Sequence, residues 1–93
     1  MIKIKTNGDK AWVTFTLLPS ETIESVALSG EWNDWIEEPM KQKKSGEYSI
    51  TKILKVDNVY PFGYKINGSE WITDTACPTV ASPFFSHNSL LEV

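Results

Sequence analysis

Ninety-three residues with a formal charge of −3 suffice for one domain and one core, but not for a core plus a deep catalytic cleft. The composition, 41% hydrophobic and 23% charged, is that of a folded chain rather than a disordered one. The acidic balance (pI about 5.0) argues against a nucleic-acid partner, which favours a basic face.

The chain opens with alternation. Ile2 and Ile4 interleave with Lys3 and Lys5, which predicts an edge strand whose lysines discourage pairing with another sheet. It lacks the continuous apolar core of a signal peptide. Asn7-Gly8-Asp9 signals a hairpin turn. From Ala11 to Leu18, β-branched and aromatic residues alternate, with Val13, Phe15 and Leu17 on one face and Trp12, Thr14 and Thr16 on the other. Pro19 to Thr22 reads as a loop.

Ile23 to Ser29 reads as the next strand and breaks at Gly30. Two tryptophans, Trp32 and Trp35, then flank the turn-forming pair Asn33-Asp34. Asn33 to Ser45 is a polar connection with one short strand near Met40-Lys41. Its lysines, Lys41, Lys43 and Lys44, read as a solvated face. Ser45-Gly46 turns the chain into Glu47–Val56, where the inward phase set by Tyr48 and Ile50 shifts toward Ile53 or Leu54, the pattern of a bulge.

Asp57-Asn58 turns again, and Val59 to Ile66 is a strand whose pairing Pro61 restricts. Asn67-Gly68 is the strongest hairpin signal, because a type I′ turn needs φ > 0 at both central positions. It predicts Tyr64-Lys65-Ile66 antiparallel to Glu70-Trp71-Ile72. Thr75 to His87 has no period and two prolines, so a loop is expected. Ser89 to Val93 is a final strand.

No helical period survives for ten residues. About seven short strands with regular turns predict an all-β, immunoglobulin-like antiparallel sandwich filling a single domain, residues 1–93. No stretch reaches the length of a membrane span. A single cysteine, Cys77, excludes an internal disulfide and fits a reducing cytoplasm. The chain from Met1 to Val93 suits a complete small protein, although a domain cut from a longer one would read the same.

Catalytic motifs are absent. Asp74, Cys77 and His87 on a proline-punctuated loop do not make a metal or nucleophile constellation, and Glu37-Glu38 has no cleft to face across. The expectation is no enzyme activity, no cofactor and no metal. Binding has better material. A pyranose presents C–H groups on its faces and hydroxyls on its rim, so a sugar site wants flat aromatic platforms with a few Lys or Asn donors. Trp35, Trp71, Lys65 and Asn88 supply that set if the fold gathers them. Trp12 and Trp32 read as packing residues. Trp35 and Trp71 fit either role.

Ser29-Gly30-Glu31-Trp32-Asn33-Asp34-Trp35, Tyr64 to Trp71, Asp74, and Pro83-Phe84…Asn88-Ser89 together resemble carbohydrate-binding module family 48. That family includes the glycogen-binding domain of AMP-activated protein kinase β subunits and the isoamylase-type early set domains. The resemblance spans residues 11–93 and is nearest to small stand-alone bacterial members. It implies an early set sandwich that binds α-1,4-glucan, with Trp35 and Trp71 as stacking platforms, Lys65 and Asn88 bonding hydroxyls, and Phe84 where a leucine inserts into the glucan curl. The chain departs from the pattern at Trp32, where Phe is usual, at the bulky Phe84-Phe85, and at His87, where an acid is frequent. Two other expectations stand beside glucan binding: an interaction module for a protein partner, and an accessory domain of an α-glucan-processing enzyme.

Overall fold

The computed structural model describes residues 2–81 and 87–93. Ten strands run in chain order as β1 (Ile2–Asn7), β2 (Lys10–Leu17), β3 (Val26–Gly30), β4 (Glu38–Pro39), β5 (Lys41–Gln42), β6 (Tyr48–Lys55), β7 (Val59–Ile66), β8 (Glu70–Ile72), β9 (Thr79–Ala81) and β10 (His87–Glu92). One sheet has the order β1-β2-β6-β5. The other has the order β4-β3-β7-β10-β9, with β8 also paired to β7. All pairings are antiparallel, so the expected all-β sandwich is the fold. The strands beyond the expected seven are pieces of two or three residues at the sheet margins.

The period-2 alternation of β2 and β7 builds the core. Val13 and Phe15 from one sheet meet Leu28, Phe62, Tyr64 and Leu91 from the other, all essentially buried. Phe15 and Phe62 pack edge-on with ring centroids 5.2 Å apart, and Tyr64 packs edge-on against Phe62 at 5.8 Å. Burying each such ring stabilises the fold by about 1.5–3 kcal/mol. Trp32 joins this cluster, 5.6 Å from Phe15 and 6.1 Å from Phe62. Its ring lies where a Cβ on Gly30 would be, so the glycine ending β3 makes room for it.

Three local expectations are corrected. β3 begins at Val26, not Ile23, because the N–H groups of Glu24 and Ser25 donate to the Asn67 side chain instead of to a strand. β6 has no bulge: its register with β2 runs unbroken from Lys10–Lys55 to Leu17–Tyr48. Lys52 therefore takes an inward position, where Glu38 accepts its ammonium at 2.6 Å, and Ile53 points out, 57% exposed. Within the expected 75–87 loop, Thr79–Ala81 forms β9 against β10.

The Asn67-Gly68 hairpin follows expectation. Both residues have positive φ, 52° and 75°, and Lys65 pairs with Trp71 across it. Asn67 also donates to the Thr22 carbonyl, tying the hairpin to the loop before β3. Pro61 is accommodated because β3 has already ended, its last pair being Gly30–Phe62, so no N–H is needed on that edge. No helix of the described residues is long and apolar enough to cross a membrane.

Candidate carbohydrate-binding face

The alternation that buries Phe62, Tyr64 and Ile66 turns Gly63 and Lys65 to the outer face of the second sheet. Ser29 and Ala27 of β3 are the register partners of Gly63 and Lys65, and Trp71 of β8 is the other partner of Lys65. On β10, Ser89 and Leu91 are buried, so Asn88 faces outward. It lies one step along from the Ser89–Phe62 pair, in the row of Gly63.

Trp71 is held on two sides. Its indole Nε1 donates to the His87 carbonyl at 2.8 Å. Its ring covers Gly63, occupying the space that a Cβ there would need. Gly63 sits where the edge of β7 changes partner from β10, which pairs residues 59–62, to β8, which pairs residues 64–66.

Trp35 arrives from a different element. After Gly30 a 3-10 turn over Glu31–Asn33 ends in two left-handed residues, Asp34 at φ 59° and Trp35 at φ 64°. The Trp35 N–H donates back to the Gly30 carbonyl at 2.9 Å. The buried Ser29 hydroxyl donates to the Trp35 carbonyl at 2.9 Å. A left-handed conformation at a bulky residue costs about 1–2 kcal/mol, and these two bonds hold it. The side chain is 38% exposed. Its ring centroid lies 6.1 Å from that of Trp71, with the planes inclined at 54°.

Lys65 is half-buried beside this pair. Glu37 accepts from its ammonium at 3.4 Å, a solvent-exposed pair worth little to stability. Trp35, Lys65, Trp71 and Asn88 thus share one open face. Phe84 lies outside the described residues. Trp12, expected to pack within the sheet or core, is 36% exposed on the outer face of the other sheet. Sequence reasoning missed the supporting residues Ser29, Gly63 and Glu37. Gly63 carried a usable signal: a glycine inside a strand marks a close approach.

Behind the site, Asp74 is buried and accepts from the Tyr64 hydroxyl at 2.7 Å and from the Ala76 N–H at 2.9 Å. Its own N–H donates to the Ser89 hydroxyl at 2.7 Å. Burial pushes the carboxyl up, but the Tyr64 hydroxyl and the Ala76 N–H hold it below its ordinary value overall. Burial first, and then the bond to Asp74, push the Tyr64 phenol well above its ordinary range. This network anchors the residue 74–78 segment to β7 and β10. Tyr64, Asp74 and Ser89 are buried, while Ala76 lies at the surface.

No protein-family model and no curated protein sequence matches the chain. Among solved structures, the fold is similar to part of the enterobactin esterase FES from Shigella flexneri, with a TM-score of 0.75 at 15% identity. That match covers 98% of this chain and 32% of the esterase, so the chain spans about a third of the esterase's length. A likeness at this identity speaks to the fold alone.

Proposed function

We propose that this domain is a non-catalytic module that binds α-1,4-glucan, glycogen or starch-like oligosaccharide, on the Trp35–Trp71 face. The carrying observation is the pair of indoles 6.1 Å apart and inclined at 54° on an open sheet face. An aromatic face offers negative π density to the C–H groups of a pyranose. Two platforms set at an angle follow a chain that curves between sugars, as α-1,4 linkage makes it do. A flat β-1,4 chain would call for coplanar platforms. Lys65 and Asn88 stand beside the platforms as donors to the hydroxyl rim. The resemblance to carbohydrate-binding module family 48 assigns these same four residues to glucan. Trp35 pays for its position in backbone strain, and strain held at an exposed aromatic is a pointer to function.

The contact is shallow and has few anchors, so affinity is expected at roughly 10⁻³ to 10⁻⁵ M. Binding of this kind needs no catalytic group, and a cytoplasmic setting with a storage glucan is part of the reading. Titration with maltoheptaose should quench or shift tryptophan fluorescence, and Trp35→Ala and Trp71→Ala should each weaken binding. Cellohexaose should bind more weakly than maltoheptaose. Equal affinity for the two would remove the curvature argument.

The fold occurs as about a third of a larger chain in the esterase, which covers 98% of this one. An accessory role beside a glucan-processing catalytic domain would use the same face in the same way.

A further inference from the structure

The other sheet has the opposite electrostatic character. Its four strands carry Lys3, Lys5, Lys10, Lys41, Lys52 and Lys55 and no Asp or Glu. Lys52 faces inward to Glu38. The other five lie on the outer face by register: Lys5 beside Trp12, Lys10 beside Lys55, Lys3 beside Thr14, and Lys41 beside Ser49. None of the five forms an ion pair among the described residues. The rest of the chain holds twelve carboxylates against four lysines, a formal −8, so the whole-chain charge of −3 hides a segregated basic face.

Within that face, Trp12 and Ile53 are register partners, 36% and 57% exposed. A groove of about 620 Å³ runs from Lys3 and Lys5 past Trp12 to Thr14 and Thr51. The sheet ends at β1, which among the described residues pairs with β2 alone. At this edge Ile4 pairs with the fully buried Val13 yet is 46% exposed, beside a groove it shares with Cys77, Pro78 and Leu90. The free edge of β1 offers the backbone donors and acceptors of alternate residues, those whose groups point away from β2.

We propose that this edge docks an acidic, extended segment of a partner polypeptide as an added strand. A strand placed beside β1 alternates its side chains as β1 does. Its outward residues fall beside Lys3 and Lys5, and its inward residues fall beside Ile2 and Ile4. The edge therefore selects a segment that alternates acidic with aliphatic residues, with main-chain bonds giving affinity and the alternation giving specificity. A second copy of β1 is a poor occupant, because it would set lysine against lysine on the outer face. A nucleic acid is also disfavoured. One indole is a short stacking platform, and the net acidic remainder of the chain repels a long polyanion running past the face.

The probe is a synthetic peptide of about ten residues alternating Glu with Val or Thr, added to the ¹⁵N-labelled protein. The expected result is shifts on β1 and the Trp12 indole, with slowed exchange of the β1 amides that point away from β2. The Lys3→Glu/Lys5→Glu double variant, checked for an unchanged melting temperature, should bind at least about tenfold more weakly. The same peptide with Lys for Glu should not bind, which tests the charge requirement without any variant of the protein. Maltoheptaose should not compete, so failure of the glucan reading leaves this result intact and the reverse also holds. No binding at millimolar peptide, binding without protection of β1 amides, or an oligothymidine of about ten nucleotides binding as tightly would each overturn the proposal.

Discussion

The indole ring of Trp71 occupies the space above Gly63 that any other residue's Cβ would fill. The glycine is thus part of the platform, although it touches no ligand. Gly63→Ala should push the ring off the sheet and loosen the 2.8 Å bond from its Nε1 to the His87 carbonyl. The expected cost is about 1–3 kcal/mol of stability from overpacking. Glucan binding should fall about as far as in Trp71→Ala, with titration calorimetry and thermal melts as the readouts. A Gly63→Ala variant with unchanged melting temperature and affinity would show that the ring has another place to sit.

Ser29 plays the matching part for Trp35. Its hydroxyl donates to the Trp35 carbonyl at 2.9 Å beneath two successive left-handed residues. Ser29→Ala removes one bond worth about 0.5–1.5 kcal/mol and leaves that carbonyl without this donor. The protein should stay folded, melting about 2–8 °C lower, while Trp35 becomes more mobile and glucan affinity falls. Trp35 fluorescence anisotropy in a background lacking the other tryptophans reports the mobility directly.

The Tyr64–Asp74 pair predicts a pH profile. The folded-state value of Asp74 lies below its ordinary 3.8. Its contribution is therefore full above that pH and is lost as pH falls through the folded value. Tyr64 has the opposite sign. Its folded value is raised above 10.0, so its contribution is full below that pH and declines as pH rises beyond it. Tyr64→Phe should cost about 1–3 kcal/mol at neutral pH and flatten both limbs. Melting temperatures from about pH 2 to about pH 11 give the test, and parallel wild-type and variant curves would contradict it.

Trp32 predicts an inexpensive substitution. Its ring packs against Phe15, Phe62 and Tyr60, but its indole N–H is buried without a partner among the described residues. Trp32→Phe removes that unsatisfied donor, which offsets the lost ring volume. The net change should stay within about 1.5 kcal/mol, against about 3–5 kcal/mol for Trp32→Ala. Denaturant unfolding of the two variants separates these values.

Much of the fold was legible because alternation and turn chemistry agree. Val13, Phe15, Tyr64 and Ile66 repeat every second residue, and Asn67-Gly68 fixes their hairpin, so the Lys65–Trp71 pair could be read in advance. Lys52 could not. Its inward position looked like a break in phase because the sequence does not display Glu38, fourteen residues away, which makes an inward lysine tolerable. Thr79–Ala81 carries no period of its own between Pro78 and Pro83, and only the neighbouring β10 makes it a strand. Asn88 and the two site tryptophans were nameable one by one. That Trp35 meets Trp71 depends on the Ser29 bond and on the empty Cα of Gly63, neither of which a spacing rule contains.

The central claim is that Trp35 and Trp71, and not the other two tryptophans, meet the glucan. Four indole N–H signals in a ¹H–¹⁵N spectrum distinguish them in one titration with maltoheptaose. The Trp35 and Trp71 signals should shift together along a single isotherm, while those of the core Trp32 and of Trp12 on the basic sheet stay in place. If no indole signal moves, or if Trp12 moves while Trp35 and Trp71 do not, the glucan face is wrongly assigned.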